Sequence, residues 1–339
     1  MSRVLELEQV EVVYEQRGRA PVRAVAGASL RVEPGQIVAL VGESGCGKST
    51  LARAAVGLVP VRSGSVHFNG HDVQPLGKRA RARELVGLQM VFQNPFSSLN
   101  PRRTVGAQLV DAMVAAGVRR RVGQREVGSL LDRVGLTPAA ADSYPHRFSG
   151  GQRQRIAVAR ALAARPSVIV LDEPLSSLDA SAQAQLANLL ITLARTEQIG
   201  LLLISHDLAI VRYAADSVSV MYLGEIVEEG RAEAMWREPL HPYTQALIAA
   251  IPHADGRGEM PEALPGEVPD PARPPSGCRF HPRCPYRFER CDREVPPLLA
   301  LSDGRTAACW LHDADRSATA PQLKIKRPAA TEEKPCRTS

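Results

Sequence analysis

The chain has 339 residues, 44% of them apolar, and a formal charge of 42 − 36 = +6. At about 150 residues per domain the length allows two domains, and the apolar share supports a sizeable core, which excludes a wholly disordered, collagen-like or disulfide-stapled chain. Aromatic residues make up 4%, too few for the stacking platforms of single-strand binders, and six basic against three acidic residues from Asp315 to Ser339 put half of the positive excess in a tail. No nucleic-acid partner is expected.

The first residues, Met-Ser-Arg-Val-Leu-Glu-Leu-Glu, alternate apolar and polar side chains and predict no signal peptide. Residues 3–13 and 22–33 read as strands, and Gln36 to Val41 as a short apolar strand running into a glycine-rich turn and a helix over 48–58. From about 102 to 162 the pattern turns helical, which predicts a helical subdomain. Apolar strands return at 168–171 and 200–204 around an amphipathic stretch at 181–197, the alternation of a parallel α/β sheet. Eleven of the 26 prolines fall between Pro252 and Pro297, a density no central strand absorbs, so a boundary is expected near 252. The expected organisation is an α/β nucleotide-binding unit over 1–251, a small Pro/Cys-rich domain over 252–313 and a disordered tail over 314–339. No apolar run approaches the roughly 18 residues of a membrane span, so any membrane role comes through a partner.

Gly42-Glu-Ser44-Gly45-Cys46-Gly47-Lys48-Ser49-Thr50 fits the phosphate-loop pattern between a strand and a helix. Its backbone N–H groups and helix N-terminus suit phosphates, Lys48 suits the β- and γ-phosphates, and Ser49 suits Mg²⁺. The strand Val168 to Leu171 ends in Asp172, a candidate Mg²⁺ ligand, and Glu173, a candidate base for an attacking water. Ser149-Gly150-Gly151-Gln152 precedes a helical run and forms a second anion-binding helix start, which suggests two halves of a composite site. Gln93 follows a strand and could contact Mg²⁺ or the lytic water. His206 follows another and could contact the γ-phosphate.

In this order, with Ser177-Leu178-Asp179 added, these elements resemble the ATPase subunit of ABC transporters over roughly residues 3 to 250. The resemblance implies ATP and Mg²⁺ as cofactors, Tyr14 stacked on adenine, and Ser149 to Gln152 with Asp179 binding nucleotide across a dimer. Phe148 stands where the commoner signature has Leu. The stretch Phe92 to Arg102, His241-Pro242-Tyr243-Thr244 and the run from Gly277 to Pro285 resemble the dipeptide and oligopeptide permease branch. Gly47 to Arg53 and Gly266 to Asp270 are more similar to its F-type than to its D-type subunit. That implies a motor at the cytoplasmic face of the inner membrane, peripheral, with a D-type ATP-binding paralogue, two permease subunits and, indirectly, an extracytoplasmic solute-binding protein. The branch also contains importers of nickel and other solutes. A soluble ABC ATPase acting on DNA or ribosomes is the alternative from another class, and the absence of sustained heptads weighs against it.

Four of the six cysteines, Cys278, Cys284, Cys291 and Cys309, cluster late in the chain at gaps wider than paired zinc ligands use. A 4Fe–4S cluster, zinc with His281 as an alternative ligand, and ordinary reduced thiols all remain open from the residues; the resemblance favours the iron–sulfur cluster. Either metal would order a segment too poor in apolar residues for its own core.

Overall fold

The computed structural model describes residues 4–15, 18, 20–77, 81–94, 98–251, 264 and 266–313. The tail expected from 314 and the boundary expected near 252 fall outside the described residues. Strands β1 (Leu5–Tyr14) and β2 (Val22–Val32) pair antiparallel and, with β4 (Ser63–Phe68) and β5 (His71–Asp72), make a four-stranded sheet in the order β2-β1-β4-β5. The main sheet has the order β11-β12-β10-β9-β3-β8-β7-β6. In it β3 (Ile37–Val41), β6 (Leu88–Val91), β7 (Val168–Asp172), β8 (Gly200–Ile204) and β9 (Ser217–Tyr222) run parallel. Antiparallel to these, β10 (Glu225–Arg231) pairs with β9, and β12 (Thr306–Ala307) and β11 (Leu299–Ala300) continue the edge.

Every residue of β3, β7 and β8 is buried, because both faces of the parallel sheet are covered. Alternation along β3 divides the interior. Val38 and Leu40 join the core formed with the antiparallel sheet and helix α1 (Lys48–Ala55), while Ala39 and Val41 face a second core around Tyr222, Tyr243 and Phe280. A third core joins Ile169, Leu171, Leu201 and Leu203 to the helical subdomain of α2 (Val105–Ala115), α3 (Arg120–Arg133) and α4 (Gly150–Leu162), and to α5 (Ala180–Glu197). The helix expected over 48–58 stops at Ala55, and Gly57 lies beyond it at φ +75°, a left-handed conformation that suits glycine. Further helices are α6 (Leu208–Ala214), α7 (Ala232–Arg237), α8 (Pro242–Ala249) and, in the cysteine-rich segment, α9 (Glu289–Arg293).

The cysteine-rich segment shares the core of the main sheet. Phe280 is buried against Tyr222, edge to face at 5.3 Å, and against Tyr243 at 5.4 Å, while Ala307 of β12 pairs with Glu228 of β10. Glu228 is fully buried and accepts the N–H groups of Leu240 and His241 at 2.9 and 2.7 Å.

His241 caps α8, its Nδ1 accepting the Tyr243 N–H at 3.0 Å. Burial, helped by neighbouring His312, lowers its pKa from 6.5 to about 3. Between those values the unfolded chain takes up a proton that the folded chain refuses, so acidification costs stability at up to about 1.4 kcal/mol per pH unit. His241→Asn keeps a capping acceptor and removes the titration. Its urea-unfolding free energy should fall less than that of the wild type between about pH 7 and about pH 5, with the buried Glu228 cancelling in the difference. Equal falls in the two proteins would rule the imidazole out.

Candidate functional site

Four successive parallel strands of the main sheet, β3, β8, β7 and β6, each lead directly into one part of the site at their C-terminal ends. The phosphate loop follows β3, His206 lies two residues beyond β8, Asp172 ends β7 with Glu173 next, and Gln93 lies two residues beyond β6. This is the edge at which open α/β sheets bind ligands.

The phosphate loop closes on its own lysine. Lys48 is buried, and its Nζ donates to the carbonyl oxygens of Gly42 and Glu43 at 2.8 and 2.9 Å. Gly47 has φ +110° and packs so closely that an added Cβ would lie 2.1 Å from the Ala24 carbonyl of β2. Cys46 is buried, and desolvation raises its pKa, so the thiol is not activated by the helix start. Tyr14 lies at the loop's edge, its hydroxyl 3.4 Å from Thr50 Oγ1.

Ser49 Oγ donates to Asp172 Oδ1 at 2.7 Å, and Arg53 Nη2 lies 3.8 Å from Asp172 Oδ2. Hydroxyl and carboxylate thus converge as oxygen donors of the kind Mg²⁺ takes. Glu173 adopts φ +47°, in the left-handed region, and its N–H donates to the Ile204 carbonyl at 3.1 Å. Its Oε2 accepts Gln93 Nε2 at 2.9 Å and lies 3.3 Å from His206 Nδ1. A cavity of about 40 Å³ beside these groups is lined in part by Glu173, Gln183, Ser205 and His206. That is polar space for water next to a carboxylate.

Ser149 caps α4: its Oγ accepts the Gln152 N–H at 3.3 Å, and Gln152 Oε1 accepts the Ser149 N–H at 3.0 Å. The resulting capping box pre-forms the helix start. Gly151 packs close to α5, where an added Cβ would lie 3.4 Å from the Ala182 Cβ. Asp179, expected at the nucleotide, caps α5 with its side chain, accepting the Ala182 N–H at 2.9 Å. Of the stretch Phe92 to Arg102, residues 95–97 lie outside the described residues.

The four clustered cysteines share one neighbourhood. Burial raises the pKa of Cys278 to about 11 and of Cys284 to about 12, and raises Cys291 and Cys309 as well. Repulsion from the other three adds to the shift at Cys309. Thiol sulfur is the donor type that an iron–sulfur cluster takes. Among the described residues, however, no three His, Cys, Asp or Glu side chains are grouped to hold an ion. His281 does not join the thiols: its Nδ1 lies 3.0 Å from the Cys278 carbonyl, and its Nε2 is 3.9 Å from Asp292.

The family described as ABC transporter matches residues 25–176, and that described as oligopeptide/dipeptide transporter, C-terminal region, matches residues 227–291. The chain is 47% identical to a di/tripeptide transport ATP-binding protein, DppF, of Pseudomonas aeruginosa, over 88% of this chain and 93% of the relative. The chain belongs to the ABC transporter ATP-binding family. It is also 44% identical to the dipeptide transport ATP-binding protein DppD of Escherichia coli, over 88% of this chain and 94% of the relative. Among solved structures, an ABC transporter cassette in dimeric form bound to ADP and phosphate after hydrolysis matches with a TM-score of 0.58 and 25% identity, covering 67% of this chain and 98% of that one.

For an ABC cassette the site holds residues that no motif announced. Glu43 lies inside the phosphate loop, with its N–H donating to the Tyr243 hydroxyl at 2.7 Å and its carboxylate paired with Arg283. These partners lie 200 and 240 residues away, so no local signal could have shown the contacts. Gly47→Ala should displace the loop, because a backbone carbonyl cannot yield as a side chain can and φ +110° is strained for any Cβ. Calorimetry with Mg-ATP should show binding at least about tenfold weaker than wild type, or about 1.4 kcal/mol. Unchanged affinity would show that the loop tolerates a Cβ there.

Proposed function

We propose that this chain hydrolyses ATP as the motor subunit of an ABC importer for di- or oligopeptides, working peripherally at the cytoplasmic face of the inner membrane. The observation that carries the catalytic part is Glu173, held by Gln93 and beside His206 at a cavity with room for water, one residue from the Asp172–Ser49 contact. Glu173 takes a proton from the attacking water, the water's oxygen bonds to the γ-phosphorus, and the bond from that phosphorus to the bridging oxygen breaks to leave ADP and phosphate. Lys48 neutralises phosphate charge, while Tyr14 stacks on adenine. Ser49, Asp172 and Gln93 hold Mg²⁺, which when bound offsets charge on the phosphate oxygens. Gln93 and His206 orient the base and the γ-phosphate, and Ser149 to Gln152 with Asp179 complete the site of a second cassette.

Peptide as solute is supported by the match to the oligopeptide/dipeptide C-terminal region and by the names of the relatives. F-type rather than D-type rests on the resemblance of Gly47 to Arg53 and Gly266 to Asp270; overall identity, 47% to the DppF relative and 44% to the DppD one, does not separate the two types. Among the described residues no helix is long and apolar enough to cross a membrane, so the spans come from two permease subunits, joined by a second, D-type ATPase and fed by a solute-binding protein.

Glu173→Gln keeps the shape of the side chain and removes the base. In the assembled transporter its hydrolysis should fall at least about 100-fold, as expected for loss of general-base catalysis, while ATP still binds and the closed dimer accumulates. Hydrolysis near the normal rate would dismiss Glu173 as the base.

Cys278, Cys284, Cys291 and Cys309 hold a 4Fe–4S cluster in the same reading, with a structural role. Four cysteines in one neighbourhood, Cys291 and Cys309 buried and Cys278 and Cys284 partly so, support it. Protein purified without oxygen should be brown and carry about four iron and four acid-labile sulfide per chain, and any Cys→Ser change should bleach it. Colourless protein containing zinc would favour zinc, and full stability of a metal-free, four-serine variant would leave ordinary thiols.

A further inference from the structure

A phosphate loop binds anions, yet the second residue of this one, Glu43, is itself an anion. Unpaired, that carboxylate would repel the phosphates the loop serves. Arg283, on the segment between Cys278 and Cys291, takes it up with both prongs of its guanidinium: Nη1 donates to Oε2 at 2.7 Å and Nη2 to Oε1 at 3.0 Å. This two-bond fork matches guanidinium to carboxylate in a way a lysine cannot. The arginine side chain is 3% exposed and the glutamate 19%, so water screens the pair weakly. Tyr222 and Phe280 flank the guanidinium, each ring centroid 5.8 Å away.

The same glutamate is held at every polar group. Its N–H donates to Tyr243, its carbonyl accepts from Lys48 Nζ, and its carboxylate accepts from Arg283. The segment reaches the loop a second time indirectly, through Arg279, which donates to the Leu223 carbonyl and pairs with Glu225 at 3.0 Å. The adjoining Gly224 N–H donates to the Cys46 carbonyl at 2.8 Å. Two arginines four residues apart therefore brace the loop, one directly and one through a turn.

We propose that Arg283 is a positioning residue of the nucleotide site: by neutralising and fixing Glu43, it lets the phosphate loop present Lys48 and its amides to ATP without a competing negative charge. The cysteine-rich segment is then part of the ATP site. This rests on the reading of Gly42 to Thr50 as the loop that binds ATP, and Lys48→Ala serves as the control for that reading.

The test measures Mg-ATP binding by the full-length chain, and kcat and KM in the assembled transporter. Arg283→Gln should raise both Kd and KM about tenfold, the equivalent of about 1.4 kcal/mol, with kcat changed less than about twofold. Arg283→Lys, which keeps the charge and loses the fork, should fall between. Adding Glu43→Gln to Arg283→Gln should bring KM back to within about threefold of wild type, because the repelling charge is gone; a merely structural arginine gives no such rescue. Wild-type KM in Arg283→Gln, or a double variant no better than the single, overturns the proposal. Should Arg283→Gln not fold, Arg283→Lys with and without Glu43→Gln makes the same comparison, and absence of recovery again overturns it. If Lys48→Ala binds ATP normally, the reading of the loop fails instead; if only the Arg283 variants bind normally, the loop reading stands and the proposal falls.

Discussion

The hydrogen bond from Ser49 to Asp172 joins the two halves of the site, and most of the remaining geometry follows from it. Asp172 is 1% exposed at the end of an apolar strand, where an unpartnered carboxylate would cost several kcal/mol. Its partners are the Ser49 hydroxyl on the first turn of α1 and the Arg53 guanidinium one turn on. With Asp172 tied to α1, the strand ends there and Glu173 turns away through a left-handed backbone conformation. Two adjacent carboxylates thereby serve different places, one at the loop and one beside Gln93 and His206.

Parallel strand order makes this convergence possible. The strands β3, β8, β7 and β6 are neighbours in the sheet and point the same way, so residues 48, 93, 173 and 206 reach one edge although they are spread over nearly half of the chain. An antiparallel neighbour would send its following residue to the opposite edge. The antiparallel strands β10, β12 and β11 lie together at one side of the sheet, clear of that run.

The cysteine-rich segment shows how a piece too poor in apolar residues for its own core is held. It borrows one: Phe280 enters the core of the main sheet, Ala307 extends the ladder of β10, and Arg279 and Arg283 satisfy acidic side chains of the cassette. The arrangement costs the cassette little, because Tyr222 and Tyr243 would otherwise need another cover.

The local geometry of the site was legible in the sequence. A phosphate loop is a contiguous run whose glycines, lysine and serine act through their own backbone, and an apolar strand ending in two carboxylates or a serine capping a helix is equally local, so Lys48, Asp172, Glu173 and Ser149 stand where their motifs placed them. Strands β3, β7 and β8 were legible for a related reason, since burial on both faces demands an unbroken apolar run. Short, exposed elements such as β5 and β11 carry no such run and leave no such mark. What only the tertiary structure decided is which distant charges meet. Arg283 crossed 240 residues to reach Glu43, and Arg279 reached Glu225. A charged side chain bears no mark of its partner, because the partner is set by how the strands and the cysteine-rich segment pack, and packing is a property of the whole core.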